Sequence, residues 1–286
     1  MKSSRSKKGI HVVMRCLLIP LALIFLLPVS GFSYENVNEV EGLSRSTKTT
    51  LLNAGVASGI VVWGIANWDY FACSPHTDNE GWFGSNTKEG GADKFGHMYS
   101  GHLLTGSFTA IYRHWGYEEK VASRYGLLSS IGMTTIMEVG DAFSEDYGFS
   151  YEDMIMNLLG AGIGYMLETR PEISKKLDFR WEYWPSLGDF QGDILTDYEH
   201  SRYLFAIKGE GFDFLQGTLG EYIELHVGFY ARERDSSRDE NRRTNRYLYS
   251  GVGINLGRLL RPLWETRLFE FWQPAYTYIP IRKGLD

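Results

Sequence analysis

The sequence predicts an α+β protein: an N-terminal signal peptide, a bundle of about four helices reaching residue 170, then an antiparallel β region of four to six strands. Three observations predict it. Four apolar, small-residue stretches of helical length occupy residues 51–168. Pro171 closes the last of them. Beyond it the apolar residues recur at every second position, the period of a strand. The expected division is 1–33 signal peptide, 34–50 polar lead-in, 51–170 helical module and 171–286 β region.

The leader is the first element. Lys2, Arg5, Lys7, Lys8 and Arg15 form a basic segment, residues 16–27 an apolar core, and residues 28–33 supply small residues for cleavage after Gly31 or Ser33. The apolar run at 17–27 is short for a bilayer span, which favours a cleaved signal over an uncleaved anchor. Cys16 precedes the run and follows an arginine, so it does not fit a lipidated mature N-terminus. The whole chain carries −6. Without the leader, 24 basic residues face 35 acidic ones, a net charge near −11 that argues against a nucleic-acid partner. Cys73 is then the sole cysteine, so no internal disulfide forms. Aromatic residues make up 15% of the chain, as suits either an aromatic sheet or a protein working at a membrane surface.

Residues 34–50 carry Glu35, Glu39 and Glu41 and read as a short lead-in. Residues 51–68 read as a membrane span or a buried helix, with Gly55, Gly59 and Gly64 suited to close helix packing. Residues 74–91 hold Pro75, Gly81, Gly84, Gly90 and Gly91 and read as a loop. Helices are expected at 93–114, 119–138 and 151–168. The last is capped by Ser150 with Asp153 at its third position, and Gly160, Gly162 and Gly164 admit a close neighbour. Strands are expected around 203–208, 222–230 and 247–256, with weaker candidates at 179–184 and 275–281. Residues 232–246 are almost wholly polar and read as a long solvated hairpin loop, or as a docking surface. The roughly 115 residues after Pro171 are too few for a closed eight-stranded membrane barrel, whose spans each need about 9–11 residues and a turn.

Set into the helical stretches is a polar series: Asp93-Lys94-x-x-His97, Glu138-x-x-Asp141 and Asp153-x-x-x-Asn157. Spacings of three and four place each pair on one helix face, so three packed helices aim these groups at one place. Burial of such groups costs several kcal/mol unless they satisfy one another or bind something. Two readings follow: a hydrogen-bonded polar core, or a site. As a site, Asp93, His97, Glu138 and Asp141 are the candidate catalytic groups and Lys94, Asp153 and Asn157 the candidate ligand-binding groups. Asp93, His97, Glu138 and Asp141 would offer a metal a mixed N/O set, but neither an HExxH motif nor a cysteine pair accompanies them, and no cofactor is specified. His102 falls off the His97 face. His114, His200 and His226 read as ordinary surface or strand residues. No nucleophile elbow, P-loop or dinucleotide fingerprint is present.

The ordered pattern Asp93-Lys94-x-x-His97, Glu138-x-x-Asp141, Phe149-Ser150-x-x-Asp153-x-x-x-Asn157-x-x-Gly160-x-x-x-Gly164 is similar to the YfiM-type family of predicted periplasmic lipoproteins, whose function is unknown. More distantly it resembles the VanZ-like membrane proteins associated with glycopeptide resistance, in which a Gln stands at the place of Asp141. Asp197-Tyr198-Glu199-His200-Ser201-Arg202-Tyr203 also looks like a sheet-entry segment of longer YfiM-type members. The resemblance implies an envelope location and a helical module with a shared polar centre, and it implies no reaction. The expectation is an exported protein of a Gram-negative-type envelope, periplasmic or membrane-associated, with a membrane or envelope component as partner. Its polar site would bind a lipid- or cell-wall-linked ligand. The alternatives are an envelope enzyme using the same residues and a structural protein without an active site.

Overall fold

The computed structural model describes residues 42–87, 89–184, 193–233, 244–264 and 266–285. The expected signal peptide and most of the lead-in lie outside the described residues, as does the middle of the expected hairpin loop. Four long helices come first: α1 (Arg45–Asn67), α2 (Ala92–His114), α3 (Glu119–Asp141) and α4 (Tyr151–Thr169). A single turn, α5 (Pro171–Ser174), leads into the sheet, made of β1 (Leu177–Tyr183), β2 (Ser201–Lys208), β3 (Ile223–Glu233), β4 (Thr244–Ile254) and β5 (Tyr278–Gly284). Short helices α6 (Leu256–Leu260) and α7 (Leu268–Phe271) lie between β4 and β5. The five strands form one antiparallel meander in the order β1-β2-β3-β4-β5. The expected α+β class and strand number are therefore those observed.

The first helix begins at Arg45, inside the segment expected to be irregular, because the Ser44 hydroxyl accepts the Thr47 N–H and caps it. Its Leu52, Val56, Ala57 and Ile60 pack on a cluster formed by Phe108, Tyr112, Ala122 and Met133. The opposite face, with Leu51, Val62 and Ile65, is exposed. By length and composition α1 is the one helix among the described residues able to cross a membrane. Of its glycines only Gly64 serves a close approach, to the Tyr70 ring. Gly55 and Gly59 face open space, so among the described residues no helix packs on them.

Helices α2 and α4 cross in backbone contact. A Cβ on Gly160 would overlap the Met98 carbonyl, and one on Gly101 would overlap the Asn157 carbonyl. The sheet packs on the other side of α2: Phe179, Tyr203 and Phe205 join Met98, Tyr99 and Met156 in one core. Helices and strands thus share a hydrophobic centre, with Phe179 stacked on Phe205 at 4.6 Å and Tyr99 set edge-on to Phe179.

The two faces of β3–β5 have inverted polarity. Antiparallel sheets ordinarily bury an apolar face and solvate a polar one. Here Glu224, His226, Tyr249 and Tyr278 are buried, and Ile223, Leu225, Val227, Leu248, Val252, Ile254, Ile279 and Ile281 are exposed. The register makes the exposed residues cross-strand neighbours: Ile223 opposite Ile254, Leu225 opposite Val252 opposite Ile279, Val227 opposite Ser250 opposite Ile281. The sheet curls around its polar face until the Tyr278 hydroxyl of β5 reaches Glu182 of β1 at 2.5 Å. The gap is completed by Trp272–Gln273, which pairs with the free edge of β1.

The enclosed side holds a buried ion network beside a cluster of Leu204, Tyr230, Tyr249 and Tyr278. Arg180 meets the Glu224 carboxylate with two bonds of 2.8 Å, Asp178 at 2.5 Å and the Gln273 carbonyl at 2.9 Å. Lys208 reaches Asp178 at 2.7 Å, and His226 reaches Glu224 at 3.0 Å. His226 is indeed a strand residue, but an interior one. Bidentate, charge-assisted bonds of this kind offset much of the desolvation cost, and removing one partner strands the other. Arg180→Met should therefore lower unfolding free energy by about 3–5 kcal/mol. Denaturant titration checks this, and a loss under about 1 kcal/mol would contradict the network's structural role.

Candidate functional site

Three helix ends meet at one place. The left-handed Gly91 (φ 88°) turns the loop into α2, whose first turns carry Asp93, Lys94 and His97. The last turn of α3 carries Glu138 and Asp141. Ser150 caps α4 by accepting the Asp153 N–H at 3.2 Å, as its sequence position implied, and Asp153 and Asn157 follow on one face. The positive N-terminal ends of α2 and α4 thus both lie beside carboxylates. The glycine crossing of α2 on α4 sets the two polar faces against each other.

All seven residues singled out from the sequence come together, with Glu80 as an eighth. Lys94 is fully buried, and its ammonium lies 2.6 Å from Glu80, 2.7 Å from Asp93 and 2.7 Å from Asp153. His97 sits between Glu138 (Nδ1, 3.2 Å) and Asp153 (Nε2, 3.8 Å). Asn157 donates its amide to Glu138 at 2.9 Å. Asp141 stands beside the Tyr70 hydroxyl, and the Tyr70 ring is held between Gly64 and Gly140.

Burial alone would lower the His97 pKa, but the Asp153 and Glu138 charges outweigh it and lift the imidazole to about 10. Lys94 follows the same logic: burial disfavours its charge, Asp93 and Asp153 restore it, and its pKa ends above the ordinary lysine value. Asp141 moves the other way for an acid. Burial, then the neighbouring Glu138 charge, push its carboxyl up to about 7. Burial also raises Asp93, with Lys94 opposing, and burial with the Asp153 charge raises Glu80. Near neutral pH the cluster therefore holds two cations among five carboxyl groups, and one of the acids is poised to titrate.

The cluster opens on a cavity of about 780 Å³, within the range of small-molecule sites. Glu80, Asp93, His97, Asp141 and Asp153 line one wall, and Trp181, Tyr198 and Tyr203 come to it from the sheet side. Lys94, Glu138 and Asn157 stand behind the lining, buried. Among the described residues two sets of groups lie close enough to share a metal ion, His97/Glu138/Asp153 and Glu80/Asp93/Asp153. The Lys94 ammonium already sits among the second set, and in the first the Asp153 and Glu138 charges hold the His97 pKa up at about 10. His102 lies away from the cluster, stacked on Phe271 at 5.0 Å. Sequence reasoning missed Glu80, which sits in a Gly-rich loop without periodicity, and the rings from the sheet.

His97 and Asp141 have a stability consequence of one sign. A His97 pKa near 10 against an ordinary 6.5 adds stability that is complete below pH 6.5 and is lost as pH rises through 10. An Asp141 pKa near 7 against about 4 adds stability present below pH 4 and lost as pH rises through 7. The stability difference between parent and His97→Gln should therefore shrink by about 2–4 kcal/mol from pH 6 to pH 10. Against Asp141→Asn the parent should lose stability between pH 4 and 7. Thermal or denaturant unfolding across pH measures both, and a flat difference curve would contradict the assigned protonation.

Residues 79–169, which hold the whole polar series, match the family described as Predicted periplasmic lipoprotein (DUF2279). No curated protein and no solved structure matches the chain. The matching description is that of an exported, envelope-associated protein of unknown role.

Proposed function

We propose that the cavity receives the head of a lipid- or cell-wall-linked envelope component bearing hydroxyl or amine groups. The observation that supports this reading is the pairing of two walls. Carboxylates at Glu80, Asp93, Asp141 and Asp153 accept hydrogen bonds from hydroxyls and ammonium groups. Trp181, Tyr198 and Tyr203 line the side toward the sheet, and an aromatic lining suits a sugar or a cation. Lys94 and His97 hold the acids in place from behind and beside, so the ligand meets acceptors already positioned. An exported protein meets such components where it works.

A second reading, an envelope enzyme, has one observation in its favour. Asp141, with a pKa near 7 and a tyrosine hydroxyl beside it, can take or give a proton at neutral pH, as a general base or acid must. Turnover of an envelope substrate would then show a pH limb near 7 that Asp141→Asn abolishes.

Native mass spectrometry of the chain extracted from envelope membranes in mild detergent tests the binding reading. The parent is expected to carry an added mass that Asp141→Asn and Tyr203→Ala each reduce by about tenfold, a loss of about 1.4 kcal/mol. Bare chain alone in the parent, or equal loading in all three proteins, would overturn it.

A further inference from the structure

The face of β3–β5 that carries Phe229 and Ala231 beneath α2 continues, away from that helix, into rows of exposed aliphatic side chains. Its eight aliphatic side chains are between 44% and 78% exposed, while the enclosed face of the same strands holds the Arg180–Glu224–His226 network. A chain in water gains by the opposite arrangement. Apolar outside and polar inside is favourable only where the outside meets an apolar medium. The pattern continues past the strands. The β2–β3 connection and the chain after β4 leave the same end of the sheet, and there Phe214, Leu219 and Leu263 stand more than three-quarters exposed. At that end Arg258 pairs with Glu221 at 3.3 Å and Arg261 with Glu210 at 2.9 Å, while the exposed Asp213 accepts from the Gln216 amide.

We infer that this face and its apolar tip are seated in the hydrocarbon edge of a phospholipid membrane. Three features select lipid over a protein partner. Its residues are Ile, Leu and Val with one Ser, and lack the Tyr, Trp and Arg anchors and hydrogen-bonding groups that mark protein interfaces. The face is the convex outside of a curled sheet. The aliphatic rows run from Ile254 to Leu248, roughly 20 Å along the strand, and then end at the exposed Lys283, which pairs opposite Leu248. That length matches a tilted strand crossing about one leaflet of hydrocarbon, with the Lys283 ammonium level with the lipid phosphates. The helix-covered end of the sheet, and with it the cavity, then lies toward the water side of the headgroups.

The test is flotation of the full chain with vesicles of phosphatidylethanolamine and phosphatidylglycerol. The parent is expected to float with the vesicles. The triple variant Leu225→Thr/Val252→Thr/Ile279→Thr places a β-branched, strand-favouring residue at each exposed position, so it should keep the parent's melting midpoint while partitioning falls at least about tenfold. Lys283→Gln should weaken partitioning about fivefold on these vesicles and leave it unchanged on uncharged ones. As a second measurement that does not depend on the triple variant folding, an environment-sensitive dye on a cysteine at Val252, in an otherwise cysteine-free chain, should shift to the blue when vesicles are added. A parent that stays in solution would overturn the inference. So would a folded triple variant that floats as well as the parent, a dye that does not respond, or a parent that dimerises through this face and ignores vesicles.

Discussion

Five carboxyl groups crowd the junction of three helix ends, and the helical half of the molecule depends on how their repulsion is offset. Lys94 and His97 do this from two positions on the first turns of α2, each lying between acids contributed by other segments. Lys94 ties α2 to the loop through Glu80 and to α4 through Asp153. His97 ties α2 to α3 through Glu138 and faces Asp153 of α4. Buried pairs of this kind are costly to assemble and costly to break. They act less as a source of net stability than as a specification of which helix ends must meet.

That electrostatic junction needs a geometric partner, and the glycines supply it. With a side chain at Gly101 or Gly160 the backbones of α2 and α4 could not touch. The polar faces would then move apart by about the width of a methyl group, enough to open bonds of 2.7 Å. The sheet completes the enclosure from the far side of α2 by bringing Trp181 and Tyr203 to the cavity. The cavity thus has one wall made by helix ends and another by strand side chains.

Helical period made much of this legible. Asp93 and His97, Glu138 and Asp141, and Asp153 and Asn157 share faces because of their spacing, and Gly160 and Gly164 announced a close neighbour. Glu80 was not legible, because a loop residue has no period and only the fold carries it to Lys94. Trp181, Tyr198 and Tyr203 could be read as strand or sheet-entry aromatics, but which helix a strand face will meet is a tertiary fact. Alternation in β3–β5 was equally plain, with Ile223, Leu225 and Val227 on one side and Glu224 and His226 on the other. What alternation does not reveal is which side is enclosed. Curling around Arg180 decided that, against the usual rule. Gly55 and Gly59 show the converse: a small-residue pattern that suits packing, on a helix face that packs on nothing within the described chain.

The molecule therefore has two contrasting regions, an acid-lined cavity at the helix junction and an aliphatic outer face on the sheet, joined through the core of α2, β1 and β2. The central claim is that His97 remains a cation, fixed between Glu138 and Asp153. Titration of the His97 imidazole by nuclear magnetic resonance, with its nitrogens labelled, measures this most directly. The account requires both ring nitrogens to stay protonated through neutral pH, with the midpoint near 10. A midpoint at or below the ordinary 6.5 would mean that the acids around it do not hold it charged, and the junction would need another explanation.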